Sequence, residues 1–274
     1  MIFDFNIHLY SKANGTLENQ IKSDTELSAS ELKMSFLMNL PKFKEVGIVA
    51  GNFMVFNQNI LVDPFLDDFI STVKRELPRS CFTLLYDFKL DVKNIEIAKK
   101  KKFSFIKFHS YVQQIEESDF ERILEVSLKA ESLNLGICID TSYGTTSLFK
   151  YDNLKLVAFL TERIKTVPIV LLHSGGSRCI EAMLIADLCE NVFLETSLSL
   201  KYYQGSTLFN DFNFVYRKIG YNRILFASDF PYQEVNEAID TFTNFCELNN
   251  VDVEDVVKML NRNAFKLLNI LEKS

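Results

Sequence analysis

Ile2-Phe3-Asp4-Phe5-Asn6-Ile7-His8-Leu9-Tyr10 opens the chain, and the residues that follow its apolar core separate two parallel α/β architectures. Residues 2–8 have the length and composition of a buried strand. Asp4, Asn6 and His8 recur at period two, which puts them on one strand face. A doubly wound open sheet would follow such a strand with a glycine-rich phosphate turn. Ile7-His8-Leu9-Tyr10 contains no glycine, so the reading favours a barrel, where functional side chains gather at the carboxyl ends of the strands.

Working outward, seven further apolar runs have strand length: residues 46–50, 82–86, 103–109, 136–140, 169–173, 192–197 and 224–229. Helix-like segments fill most of the gaps. Phe120, Ile123, Leu124 and Leu128 share a face behind a Ser118/Glu121 capping box. Leu156, Val157, Leu160 and Ile164 repeat the pattern, as do Ile180, Met183, Leu184 and Leu188, then Val235, Ile239, Phe242 and Cys246. Ala264, Leu267, Leu268 and Leu271 predict a closing helix. Eight strands alternating with helices, in a chain near the usual length of about 250 residues, predict one α/β domain over residues 1–274. Its architecture is a (β/α)8 TIM barrel with a C-terminal closing helix. The polar, Asn-rich stretches 9–30 and 51–63 read as loops over the barrel mouth.

Composition narrows the function. The chain has 274 residues, 47% hydrophobic and 24% charged, enough to bury a sizeable core. A net charge of −6 argues against nucleic-acid binding, which needs clustered cations. The one basic run, Lys99 to Lys102, reads as a solvated helix terminus. Five cysteines without C-x-x-C spacing (Cys81, Cys138, Cys179, Cys189 and Cys246) read as reduced core residues. No apolar stretch is long enough for a membrane span, and the expected setting is cytoplasmic.

The chain has three histidines, His8, His109 and His173, and each ends a predicted strand. Asp87, Asp140 and Asp229 occupy equivalent places. One such residue is ordinarily just hydrogen-bonded to the next loop; six in equivalent positions point to a shared mouth lined with titratable groups. Lys107 shares a strand face with His109. Most of the 25 phenylalanines read as core. Phe53, Phe56 and Phe230 fall on predicted mouth loops, and Tyr111, Tyr143, Tyr202, Tyr203 and Tyr232 follow strand ends. An aromatic, hydroxyl-bearing pocket for a small molecule is the expectation.

Six motifs in order resemble the amidohydrolase superfamily, in its branch of amidohydrolase-related hydrolases and decarboxylases. Asp4 to His8 is similar to the family's first-strand D-x-H-x-H, and Ile106-Lys107-Phe108-His109 to its I-K-L-H. Leu172-His173-Ser174-Gly175-Gly176 resembles H-x-G-G, and residues 191–197 resemble N-V-Y-x-x-x-S. Leu225 to Pro231 resembles L-F-G-S-D-x-P, and Asn263 to Leu268 resembles N-A-x-R-L-L. The resemblance implies a metal site built from two first-strand histidines, a fifth-strand histidine and the eighth-strand aspartate. Here the corresponding residues are Asn6, His8, Asp140 and Asp229, so two of the four depart from the pattern. That harder donor set shifts preference from zinc toward manganese, magnesium or iron. It leaves open both one bound divalent metal and a metal-free site; no organic cofactor is expected.

By the same resemblance Asp229 is the general base and His173 polarises the carbonyl or protonates the leaving group. Lys107, His109, Arg178 and Tyr143 are the candidate substrate-binding residues, suited to an anionic small molecule. Arg178 would act with the amides after Gly175-Gly176 at a helix start. The first expectation is a hydrolase in which water attacks an amide, ester or lactone carbonyl. Alternatives are a decarboxylase or other lyase of the same superfamily, and an inactive barrel kept as a binding protein. Relatives in this branch are often dimers, which leaves a homodimer open.

Overall fold

The computed structural model describes residues 1–10, 27–57, 59–142 and 150–272. Eight parallel strands run in sheet order one to eight: β1 (Ile2–His8), β2 (Ile48–Val55), β3 (Cys81–Leu85), β4 (Phe105–Phe108), β5 (Gly136–Asp140), β6 (Ile169–Leu172), β7 (Val192–Glu195) and β8 (Ile224–Leu225). Between and after them lie α1 (Ala29–Glu45), α2 (Leu66–Glu76), α3 (Asn94–Lys100), α4 (Phe120–Ser132), α5 (Asn153–Thr161), α6 (Cys179–Leu188), α7 (Ser199–Tyr202), α8 (Thr207–Ile219), α9 (Val235–Leu248), α10 (Val253–Val257) and α11 (Asn263–Glu272). This is the (β/α)8 barrel that the alternation of runs predicts, with α11 as the C-terminal helix.

The barrel closes where β8 meets β1. Phe5 N–H donates to Phe226 O at 3.0 Å, Asp229 N–H to Asn6 O at 2.9 Å, and His8 N–H to Phe230 O at 2.7 Å. The extended chain after β8 thus continues its edge and carries Asp229 to the mouth. Phe5 and Phe105 meet edge to face at 5.4 Å. Because β1 and β4 are not neighbours in the sheet, that contact crosses the barrel interior. The β1–β2 register slips between Asp4 and Ile7, so strict alternation fails there and both Phe5 and Asn6 reach inward.

Four sequence expectations are corrected. The first part of the stretch 51–63 is strand rather than loop: β2 runs to Val55, and Phe53 lies fully buried in the core. Gly51 looks like a strand breaker, yet it suits a close approach, since a Cβ there would lie 2.6 Å from Ile7 Cδ1 and 3.3 Å from Asp4 O. Phe230, expected on a mouth loop, is also core, packed edge to face against Phe43 at 5.5 Å. The capping box before α4 is made by Glu116 and Asp119, one short turn ahead of the Ser118/Glu121 pair. On α6 the buried face is Cys179, Ala182, Met183 and Ala186, while Leu184 is 56% and Leu188 86% exposed. Small residues there let the helix lie close to the barrel, so the bulkier ones turn outward. The closing helix matches its pattern, with Ala264, Leu267, Leu268 and Leu271 all buried.

At the other end of the mouth loops, Ser28 and Glu31 form a reciprocal capping box at the start of α1. Residues 11–26 lie outside the described residues. No described helix is long and apolar enough to cross a membrane. The five cysteines are free thiols, four of them buried.

Candidate active site

A cavity of roughly 300 Å³ opens at the carboxyl ends of the strands. His8, Lys107, His109, Asp140, His173 and Asp229 all line it, although they come from β1, β4, β5 and the residues just after β4, β6 and β8. Phe56, Tyr111, Tyr202 and Tyr232 form aromatic walls around them. Six of the residues singled out in the sequence therefore converge. Asn6 lies just beneath, fully buried, against Asp229 and Ser197.

Two carboxylates organise the floor. Asp140 Oδ2 is 3.3 Å from each of Lys107 Nζ, His109 Nε2 and His173 Nε2. Its other oxygen accepts Ser142 N–H at 3.1 Å and Ser142 Oγ–H at 2.6 Å. Burial alone would raise the Asp140 pKa, but His109, His173 and Lys107 outweigh it and hold the carboxyl well below its usual range. Asp229 Oδ1 accepts the Asn6 amide N–H at 2.9 Å and lies 3.3 Å from His8 Nε2.

The two remaining histidines diverge. Burial lowers both. At His109 burial wins and the pKa falls to about 3, so the ring is neutral. At His173 the Asp140 carboxylate, with Asp229 and Glu195 behind it, overcomes burial and lifts the pKa to about 9. His173 is thus an imidazolium at neutral pH, one in a cavity that also holds the Lys107 ammonium.

Backbone strain coincides with these groups. His173 has φ +67°, Ser174 +51°, Leu198 +53° and Asp229 +58°. Side chains rarely adopt such angles, and clustered cases mark sites where geometry is held by surrounding contacts. Glu195, which the sequence reading passed over inside its strand motif, supplies some of those contacts from full burial. Its signal was visible: an acid ending an apolar strand, two residues before Ser197.

Two of the candidate substrate-binding residues stand apart. Arg178 is not among the cavity's lining residues; its guanidinium pairs with Glu181 and, at 2.9 Å, with Asp152. The i, i+3 acid on α6 and the cap residue of α5 claim it, which corrects the anion-site reading. Tyr143 lies outside the described residues. Asp87 turns into its own loop, accepting Lys89 N–H at 2.9 Å.

The donor set does not suit a divalent metal. The Asp140 oxygen that would ligate already faces an ammonium at 3.3 Å, and Asn6 presents its N–H₂, not its oxygen, to Asp229. A dication there would meet the Lys107 ammonium at close range. Among the described residues no group of three or more His, Cys, Asp and Glu side chains is disposed to hold a metal ion.

A family model described as Amidohydrolase matches residues 95–270. No curated protein matches the chain. Solved structures share the fold across nearly their whole length. An uncharacterised TIM-barrel protein from Bordetella bronchiseptica is 15% identical with a TM-score of 0.76, covering 99% of each chain. A probable 2-pyrone-4,6-dicarboxylic acid hydrolase from Acinetobacter baumannii, solved with citric acid, is 14% identical with a TM-score of 0.69, covering 98% of this chain and 99% of its own. A dihydroxybenzoic acid decarboxylase from Polaromonas sp. JS666, solved with manganese and 2-nitroresorcinol, is 14% identical with a TM-score of 0.66, covering 100% and 98%.

Proposed function

This chain belongs to the amidohydrolase family, and from that premise we propose that it is a hydrolase acting on an ester, lactone or amide carbonyl of a small anionic molecule. One observation carries the reading: a single cavity holds a carboxylate fixed by two nitrogen donors, Asp229, and an imidazole kept protonated, His173. Those are a general base and a general acid within one site.

The chemistry follows from that pairing. Asp229 takes a proton from water as the water oxygen bonds to the carbonyl carbon, and the carbonyl electron pair moves to its oxygen. Lys107 is a fixed cation in the same cavity that can receive that oxyanion or a substrate carboxylate. When the tetrahedral intermediate collapses, His173 gives its Nε2 proton to the departing oxygen or nitrogen. Asp229 then returns its proton to solvent, and His173 is reprotonated. No step is routed through a metal, since Asp140 already faces Lys107, His109 and His173. The manganese-bound neighbour favours a metal-assisted reading, which elemental content decides.

A second reading draws on the aromatic walls of Phe56, Tyr111, Tyr202 and Tyr232. They suit a planar aromatic acid, and the His173 imidazolium could protonate the ring carbon as CO₂ leaves. A panel of carboxylated lactones, esters and aromatic acids, assayed in parallel for ring opening and for CO₂, tests both. Ring or ester opening that falls about 10²–10⁴-fold in Asp229→Asn supports the hydrolase; CO₂ release instead supports the lyase. No turnover of either kind returns weight to a non-catalytic binding barrel.

A further inference from the structure

Glu195 ends β7 with its carboxylate fully buried, and it is not among the cavity's lining residues. Three donors converge on it. The Ser197 backbone N–H donates to Oε1. Ser197 Oγ–H donates to Oε2 at 2.9 Å, and the His173 backbone N–H donates to the same oxygen at 3.2 Å. Every neighbour donates, so the geometry serves the ionised form. Burial pushes the carboxyl up, with the His173 charge and the Ser197 bonds opposing.

The hydrogen count then fixes Ser197. Its single hydroxyl proton goes to Glu195, so its lone pairs are left to accept. His173 Nδ1 lies 3.0 Å from Ser197 Oγ and 3.3 Å from Ser197 O, and both are acceptors. The ring must therefore present a proton at Nδ1. Its Nε2 is left facing Asp140 at 3.3 Å and the cavity. A protonated Glu195, or none, would free the Ser197 hydroxyl to donate to Nδ1 and turn the logic around.

The same carboxylate also holds the His173 main chain. His173 and Ser174 sit at φ +67° and +51°, and the N–H of the first is the one Glu195 accepts. Ser174 Oγ–H donates to Glu195 O at 2.6 Å, and Ser199 Oγ–H to His173 O at 2.6 Å. Ring and backbone of one residue are thus tied to a single acid on the neighbouring strand.

We propose that Glu195 is a positioning residue, holding the His173 backbone directly and, through Ser197, keeping a proton on His173 Nδ1 so that Nε2 is the atom offered to the cavity. This rests on the assignment of His173 as the acting imidazole, but its test needs no substrate.

The chain's three histidines make ¹⁵N-histidine labelling of the full-length protein a direct probe, with assignments from His8→Gln and His109→Gln. At fixed neutral pH, the wild type should show a slowly exchanging proton bonded to His173 Nδ1. Ser197→Ala removes the hydroxyl acceptor of the ring proton, leaving only the longer contact to the backbone carbonyl, and keeps the Glu195 contact to the His173 N–H. Glu195→Gln keeps the shape and removes the ionised acceptor. Both should speed solvent exchange of that proton at least about tenfold, the equivalent of one lost hydrogen bond. Should Glu195→Gln fail to fold, Ser197→Ala carries the test alone. An unprotonated Nδ1 in the wild type, or exchange unchanged in Ser197→Ala, overturns the proposal. Failure of the hydrolase reading would show in the product assay and leave the exchange result standing.

Discussion

Asp4 accepts the Ser228 backbone N–H at 2.9 Å and the Ser228 hydroxyl at 2.5 Å, joining residues 224 positions apart. Ser228 Oγ in turn accepts Phe230 N–H at 3.0 Å. These bonds bracket Asp229, whose φ is +58°, so a buried acid on β1 supports the backbone of the proposed base. Glu195 stands in the same relation to His173. The site rests on two carboxylates that never reach the cavity.

The first prediction concerns Asp4 and pH. Burial raises its pKa from 3.8 to about 7, against the Ser228 and Asn6 bonds that lower it. A carboxyl whose folded pKa is raised binds more protons folded than unfolded between those two values. Its contribution to stability is therefore fully present below about 3.8 and is lost as pH climbs to about 7, a change on the order of 4 kcal/mol. Asp4→Asn cannot titrate. Urea unfolding across pH 4–8 should show the wild type losing stability relative to Asp4→Asn up to about pH 7, then running parallel. A difference that stays constant throughout would sink the assignment.

Lys107 and Asp140 form a buried pair at 3.3 Å. Removing the ammonium in Lys107→Met leaves a buried carboxylate relying on two imidazoles, at a cost of about 3–5 kcal/mol. Adding Asp140→Leu removes the stranded charge, so the double variant should recover part of that loss. Denaturant titrations of the two singles and the double give the coupling directly. Strictly additive effects would mean the two side chains do not sense one another.

The substituted ligand positions yield a third prediction. Wild-type protein purified without chelators should carry well under one equivalent of divalent metal by elemental analysis, and EDTA should not alter its turnover. Asn6→His combined with Asp140→His restores two imidazoles beside His8 and Asp229. This double variant should gain zinc affinity by at least about tenfold in calorimetry, since zinc prefers such nitrogen donors. Stoichiometric metal in the wild type that disappears in Asp229→Ala would show that the site binds an ion after all.

Much of this was legible in the sequence because the barrel places function at strand ends. His8, His109, His173, Asp140 and Asp229 share that position, and period-two alternation added Lys107. What escaped depends on contacts that no local pattern encodes. Arg178 looked like an anion ligand because it opens a helix after two glycines, yet Glu181 and Asp152 hold it. Gly51 reads as a loop residue because the bulk it lacks is taken up by Ile7 across the sheet. Glu195 and Asp4 stood inside strand motifs without a role of their own, since that role lies in hydrogen bonds to other strands. Residue type and period locate a site; the direction of its protons needs the tertiary structure.

Leu198 offers the last prediction. It is the centre of a γ-turn, with φ +53° and ψ −48° and Ser199 N–H donating to Ser197 O at 2.5 Å. That conformation is rare and strained for a branched residue. Leu198 also lines both the main cavity and a smaller space of roughly 100 Å³ beside it, walled by Gly176, Tyr202 and Tyr203. The strain therefore places a partition between two compartments. Leu198→Ala removes the packing and keeps the strain, whereas Leu198→Gly removes both. Although glycine carries an entropic cost of about 0.5–1 kcal/mol against alanine, relief of the positive φ outweighs it. Leu198→Gly should unfold at a higher urea concentration than Leu198→Ala, by about 1 kcal/mol. It should also shift turnover toward substrates with bulkier apolar substituents. If alanine proves the more stable of the two, the turn is not strained, and a side chain at 198 is there for packing alone.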